Sequence, residues 1–236
     1  MLKSLKTRWK ALERWVLWGF GDDISTPRGR RLAKVHFHVA DHAFLRGAWT
    51  NLDLVAPGIW RSNQPGPARI GRYAEMGIRS ILSLRGNIRY SFLLFEEEAA
   101  ARHGIDLQIV ELRASALAEG PVLIDVLDRM EAMEKPLLIH CKSGADRTGL
   151  AAALWLLAHE GASVAEAEDQ LSLRYLHRSD TKTGVLDHLV RSYGAARRET
   201  GIDLRTWLRH DYDAPAMQQE FRRMLDAGEV PKRGAG

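Results

Sequence analysis

The chain contains one cysteine, Cys141, and an arginine, Arg147, stands six positions after it. Between them lie Lys142, Ser143, Gly144, Ala145 and Asp146, a short polar run. The apolar Leu137-Leu138-Ile139 and His140 before it read as a strand, and the almost wholly apolar Gly149 to His159 after it reads as a buried helix. A strand that passes through a polar loop into a helix gathers backbone N–H groups around one point, and the helix dipole adds positive potential there, so the junction binds an anion. A free thiol titrates near about 8.5, but a helix N-terminus and a neighbouring guanidinium lower it enough to give a thiolate at neutral pH. The thiolate is the nucleophilic form. Arg147 offers a planar fork of donors that can hold two equatorial phosphoryl oxygens and keep holding them as the transition state flattens, a geometry lysine does not reproduce. The chemistry these residues imply is attack of sulfur on phosphorus.

His140-Cys141, five residues, Arg147, Thr148 and then Gly149 resembles the signature of the protein tyrosine and dual-specificity phosphatase superfamily. The similarity extends over roughly residues 53 to 176, where Gly58-Ile59-Trp60-Arg61-Ser62-Asn63-Gln64-Pro65 and Gly77 to Arg85 look like the opening strands of compact, bacterial-type members. The resemblance implies a cysteine-dependent phosphatase that hydrolyses phosphate monoesters through a phosphocysteine. Cys141 would be the nucleophile, Arg147 the phosphate clamp, and the Thr148 hydroxyl an aid to thiolate departure. His140 would orient the loop, while Lys142, Ser143, Gly144 and Ala145 would line the phosphate. No metal or other cofactor is implied.

One feature of the family's pattern is missing. Most members take their general acid from an aspartate on a separate loop ahead of the helix that precedes the signature strand. Here the only carboxylates between Glu111 and Pro121 are Glu111 itself and Glu119. The leaving group still needs a proton. Asp146, directly before Arg147, resembles the loop aspartate of myotubularins and some bacterial lipid and tyrosine phosphatases, and is the expected acid, with Glu119 in reserve. Lys142 resembles the lysine of tensin-type lipid phosphatases, which faces additional phosphates. Arg61 is a candidate substrate contact on a basic rim that Arg85, Arg174, Arg178 and Lys182 could complete. The expected substrates are phosphotyrosine or phosphoserine proteins, phosphoinositides or inositol phosphates.

These residues need a scaffold, and the hydrophobic pattern outlines one. Strands are expected at Arg79 to Leu84, Leu107 to Leu112 and Pro136 to His140, with helices near 66 to 76, 91 to 103 and 121 to 134 between them. That alternation predicts an α/β fold with a central, mostly parallel sheet and right-handed crossovers placing helices on both faces. Further helices are expected at 163 to 176, 184 to 198 and 203 to 226, and a loose tail from Pro231. Upstream, Leu2, Leu5, Trp9, Leu12 and Val16 form an apolar stripe at helical spacing, and a second helix is expected from Arg28 to Leu45. The division implied is a helical extension over 1 to 50, a catalytic domain over 51 to 200, and a C-terminal helical extension with its tail over 201 to 236.

Composition is that of a globular protein, 45% apolar and 27% charged, so a core can be buried. A lone cysteine cannot form an internal disulfide or a thiol-based zinc site, which fits a reducing compartment, and a cytoplasmic location is expected. The longest apolar run, Leu150 to Ala158, falls short of the roughly 20 residues a membrane span needs. Residues 1 to 20, with Trp9, Trp15, Trp18 and several lysines, could instead rest on an anionic bilayer, though packing on the catalytic domain is the plainer expectation. A net charge of +4 suits an anionic substrate without calling for nucleic acid. The run His36-Phe37-His38-Val39-Ala40-Asp41-His42 concentrates metal-ligand types, but on a helix only His38 and His42 would share a face, which disfavours a metal site. Two rival functions remain, a silent phosphate-binding module and, against the Arg147-Thr148-Gly149 run, a rhodanese-type sulfurtransferase.

Overall fold

The computed structural model describes residues 19–231. The expected first helix over 2 to 18 and the final residues 232 to 236 lie outside that range. The described chain opens with α1 (Pro27–Val35), capped by the Thr26 hydroxyl, and its π-helical continuation His36–Ala40. A hairpin follows, β1 (Asp53–Ala56) and β2 (Ile59–Asn63), then α2 (Pro67–Glu75), β3 (Ser80–Ser83), α3 (Ser91–His103), β4 (Asp106–Ile109), α4 (Gly120–Ala132), β5 (Leu137–Cys141) and α5 (Asp146–His159). Four α-helices complete the described residues: α6 (Val164–Asp169), α7 (Val185–Thr200), α8 (Leu204–His210) and α9 (Ala214–Ala227).

The five strands form one sheet in the order β1-β2-β5-β3-β4. Only the β1–β2 hairpin at the edge is antiparallel, as expected of a mostly parallel sheet. β5 is central, and every residue of its Leu-Leu-Ile-His-Cys sequence is buried, the pattern of a strand covered on both faces. Its register sets Asn63 of β2 beside Cys141 and Ser83 of β3 beside His140, so Cys141 emerges at the carboxyl edge between two parallel neighbours. Ligands in open α/β sheets bind at that edge.

The main core joins Leu137, Ile139 and Cys141 of β5 to Leu150, Ala151 and Leu154 of α5, and it takes in Leu204, Trp207 and Phe221 from α8 and α9. Small residues let α5 lie close to its neighbours. A Cβ on Gly149 would stand 2.5 Å from the Gln170 carbonyl oxygen, so that contact needs glycine. On the other side of the sheet Ala33 and Phe37 pack against Phe92, Leu93 and Phe95 of α3.

Three expected helices are shorter than their periodicity implied. The one expected from Arg28 to Leu45 ends at Ala40, because the Asp41 carbonyl accepts from Arg46 instead of continuing the helical ladder, and His42 follows in the left-handed region at φ 59°. The one expected over 163 to 176 stops at Asp169, where both the carbonyl and the side chain of Gln170 turn to Arg61. The one expected over 203 to 226 divides at Asp211 to Asp213. There Asp213 caps α9, with proline in its first turn. Among the described residues, no helix is long and apolar enough to cross a membrane.

Candidate active site

The loop from Lys142 to Ala145 leaves β5 and enters α5 at Asp146. Gly144 makes the tight part of the turn at φ 73°, and any Cβ there would lie 2.7 Å from Asn63 N and from the Ser62 carbonyl. Backbone freedom and close approach to β2 both demand glycine at this point. Cys141 is buried at the floor of the loop. Burial alone would raise its thiol, but the Arg147 charge, the Thr148 hydroxyl and amide, and the Gly144 amide outweigh it and bring the Cys141 pKa below the ordinary value. Arg147 is half-buried, with Nη1 3.3 Å from the Leu84 carbonyl and 3.5 Å from that of Leu112. The guanidinium is thus steered by the chain just beyond β3 and β4.

His140 is wholly buried, with Nδ1 3.2 Å from the Cys141 carbonyl oxygen and Nε2 2.6 Å from Glu96 Oε1. From there a polar chain runs across the sheet edge. Glu96 Oε2 accepts from Gln64 Nε2 at 2.8 Å, Gln64 Oε1 accepts from Arg85 Nη1 at 2.9 Å, and Arg85 forks onto Asp41 at 2.7 and 3.1 Å. Asp41 also meets Arg46 at 2.7 Å and Lys142 at 3.5 Å. Burial would push the Asp41 carboxyl up, but the Arg85, Arg46 and Lys142 charges overcome that and hold it below the ordinary carboxylate value. Satisfied chains of this kind fix a buried geometry.

Asp146 opens α5, and its Oδ1 accepts from His177 Nδ1 at 2.7 Å. His177 is itself buried, and its Nε2 donates to Asp187 at 2.6 Å. Burial lowers the basicity of that imidazole, but hydrogen bonds to Asp146 and Asp187 prevail and raise its pKa to about 9.

A central strand leads through a tight loop into a helix, with a thiol of lowered pKa beside the charge of Arg147, and the family comparison agrees with this arrangement. Residues 53–193 match the model of PTP-SAK, the Swiss Army Knife protein DSP-PTPase phosphatase domain. The chain belongs to that family. Among solved structures, the PTP-SAK chain resembles the core catalytic domain of the PP-IP phosphatase SIW14 of S. cerevisiae, solved with citrate. That match has 19% identity and a TM-score of 0.51, covering 64% of this chain and 93% of that one. A putative phosphatase of Shewanella putrefaciens matches at 15% identity and a TM-score of 0.50, covering 63% and 95%. At such identities the likeness concerns the fold. No curated protein sequence matches the chain.

The PTP-SAK loop places most of the expected residues together. His140, Cys141, Arg147 and Thr148 converge, and Ser143, Gly144 and Ala145 form the turn beside them. Lys142 is partly exposed and leans toward Asp41.

Arg61 requires correction. It is not a rim residue that meets substrate, because it is completely buried beneath the loop. Its Nη2 donates to the Gly144 carbonyl at 2.7 Å, its Nη1 to Gln170, and its guanidinium lies 3.5 Å from the Tyr175 ring centre. The rest of the supposed rim is largely engaged elsewhere: Arg85 with Asp41, Arg174 with Asp53, Arg178 with Asp180. Glu119 sits exposed at the N-cap of α4, and its charge adds to partial burial in raising the pKa of the half-buried Tyr212 hydroxyl.

Sequence reasoning passed over Asn51, Glu96, His177 and Asp187, and considered Asp41 only as a metal ligand. Asn51, in the left-handed region at φ 50°, donates to the Ser143 and Tyr175 carbonyls and so pins the loop from a position ahead of the matched residues. Asp41 sat in the segment weighed as a metal site. Its real partners are cations, and among the described residues no cluster of three ligand types could hold a metal.

Proposed function

We propose that this chain is a phosphatase that hydrolyses phosphate monoesters through a phosphocysteine on Cys141. The observation that carries the reading is the thiol itself, buried yet lowered in pKa by Arg147, Thr148 and the loop amides. Such a sulfur is poised to attack an electrophile seated in the loop. In the first step sulfur bonds to phosphorus, the ester P–O bond breaks, and the departing oxygen takes a proton from Asp146. In the second step water attacks phosphorus, the P–S bond breaks, the water's proton passes to Asp146, and the Thr148 hydroxyl supports the leaving thiolate. Arg147 and the loop amides hold the equatorial oxygens throughout.

Polyanionic substrates, phosphoinositides or soluble inositol phosphates, fit the surroundings best. Arg46, Arg85 and Lys142 stand around a single carboxylate, Asp41, so positive charge is in excess on that side of the loop. Phosphotyrosine and phosphoserine proteins are the competing class.

Profiling the purified chain against inositol phosphates, phosphoinositides, phosphotyrosine and phosphoserine peptides tests both levels, with thiosulfate as the sulfurtransferase control. Phosphate release from the inositol-based groups, abolished in Cys141→Ser, is the expected result. Release from peptides alone would overturn the substrate class, and no release from any ester would overturn the reaction.

A further inference from the structure

The loop ends on a carboxylate, Asp146, one residue before Arg147, and an unopposed negative charge beside a phosphate dianion works against binding. The residue that opposes it comes from far along the chain. His177 is buried between two carboxylates, Asp146 Oδ1 at 2.7 Å and Asp187 Oδ2 at 2.6 Å. Each of those short gaps needs a proton, and an imidazole with both ring nitrogens donating is the cationic form. The charged side chains facing it are Asp146 from α5 and Asp187 from α7. Arg178, next in the chain, turns to Asp180 instead, and Arg174 to Asp53. His177 N also donates to the Ser172 carbonyl, so the ring is anchored at its own backbone.

We infer that His177, held by Asp187, is a positioning residue of the phosphate site: its imidazolium offsets the charge of Asp146 against the incoming phosphate and fixes that carboxylate by one oxygen. At the chemical step the imidazolium gives its Nδ1 proton to the Asp146 carboxyl, which passes it to the leaving group, and His177 is left neutral until the water's proton returns to the pair. Two buried ionisable groups, His177 and Asp187, are costly, and apolar packing would pin the loop with less desolvation. A charge-balancing role explains why the row is ionisable. The inference deepens the phosphatase reading and rests on it for the identity of the ligand.

The test is a double-mutant cycle on inorganic phosphate affinity, measured by calorimetry on the full chain in a Cys141→Ser background, so that turnover plays no part. His177→Asn should weaken phosphate binding by roughly tenfold, the scale expected of one uncompensated like charge at close range. Asp146→Asn alone should leave binding as tight or tighter. In the double variant the His177→Asn loss should largely vanish, because no charge is left to offset. A merely structural histidine gives the opposite result, with the loss persisting undiminished when Asp146 is also replaced, and that would overturn the inference.

A second measurement covers the case in which His177→Asn does not fold. In the otherwise unaltered chain, phosphate affinity should decline as His177 loses its proton around pH 9, and Asp187→Asn should move that decline to lower pH. An Asp187→Asn profile superimposable on the parent's would overturn it. The two readings fail separately. A chain that turns over esters but shows an undiminished loss in the cycle loses only the His177 role, whereas one that turns over no ester loses the phosphatase reading.

Discussion

Arg61 Nη2 donates to the Gly144 carbonyl oxygen at 2.7 Å from a position with no exposure to solvent. The guanidinium therefore supports the phosphate loop from below. Burial lowers its pKa to about 10, which still leaves it charged at neutral pH, and the Gln170 carbonyl, the Gln170 amide oxygen and the Tyr175 ring share that charge. Arg61→Ala removes these bonds and opens a cavity under Gly144. A loss of about 3 kcal/mol in stability is expected, together with weaker phosphate binding. Arg61→Lys should recover little, because one ammonium cannot reach both Gly144 and Gln170 with the same fork. Urea unfolding and phosphate inhibition constants check both statements, and a fully active, fully stable Arg61→Ala would contradict them.

The Cys141 thiol should alkylate with iodoacetamide along a pH curve whose midpoint lies below that of a free thiol. Arg147→Met removes the largest of the lowering influences and should move the midpoint upward. A midpoint insensitive to Arg147 would mean that the guanidinium does not face the sulfur in solution.

Stability should depend on pH through His177. Its folded pKa, about 9, is above the ordinary 6.5, so its contribution is full below about pH 6.5 and is lost as pH rises toward 9. At roughly 1.4 kcal/mol per pH unit the whole contribution is about 3 to 4 kcal/mol. Urea unfolding of the parent chain between pH 6 and pH 9.5 should show that decline. His177→Gln should be less stable at pH 6 and lack the slope.

Asp41 neutralises cations that are themselves nearly buried, Arg46 with a side chain 5% exposed and Arg85 with one 9% exposed. Asp41→Ala leaves both without their counter-ion, and a cost of about 3 to 5 kcal/mol is expected. The effect should reach the loop, since Arg85 leads through Gln64 and Glu96 to His140. Thermal unfolding with parallel turnover assays checks this. Unchanged stability would show that the segment ahead of residue 53 is not part of the site's frame.

The parts of the site that were legible in the sequence are those whose partners are close in the chain. Cys141, Gly144, Arg147 and Thr148 belong to one strand–loop–helix junction, and spacing alone assembles them. The sheet was legible for a similar reason, since the apolar run Leu137-Leu138-Ile139 of β5 marks a strand buried on both faces. Arg61 and Gly144 are 83 positions apart, and Asp146 and His177 are 31 apart, so no local pattern announces either pair. Helix ends failed where a side chain elsewhere captured the backbone, as Arg61 does at Gln170 and Arg46 at Asp41. Asn51, Glu96 and Asp187 are single polar residues in unremarkable surroundings, and only the folded contacts give them meaning.

The most direct test is to trap the intermediate. Rapid acid quench of the chain turning over an aryl phosphate, followed by peptide mass spectrometry, should find one phosphoryl group on the peptide bearing Cys141 and none in Cys141→Ser. Steady turnover with an unmodified Cys141, or phosphate release undiminished in Cys141→Ser, would contradict the account.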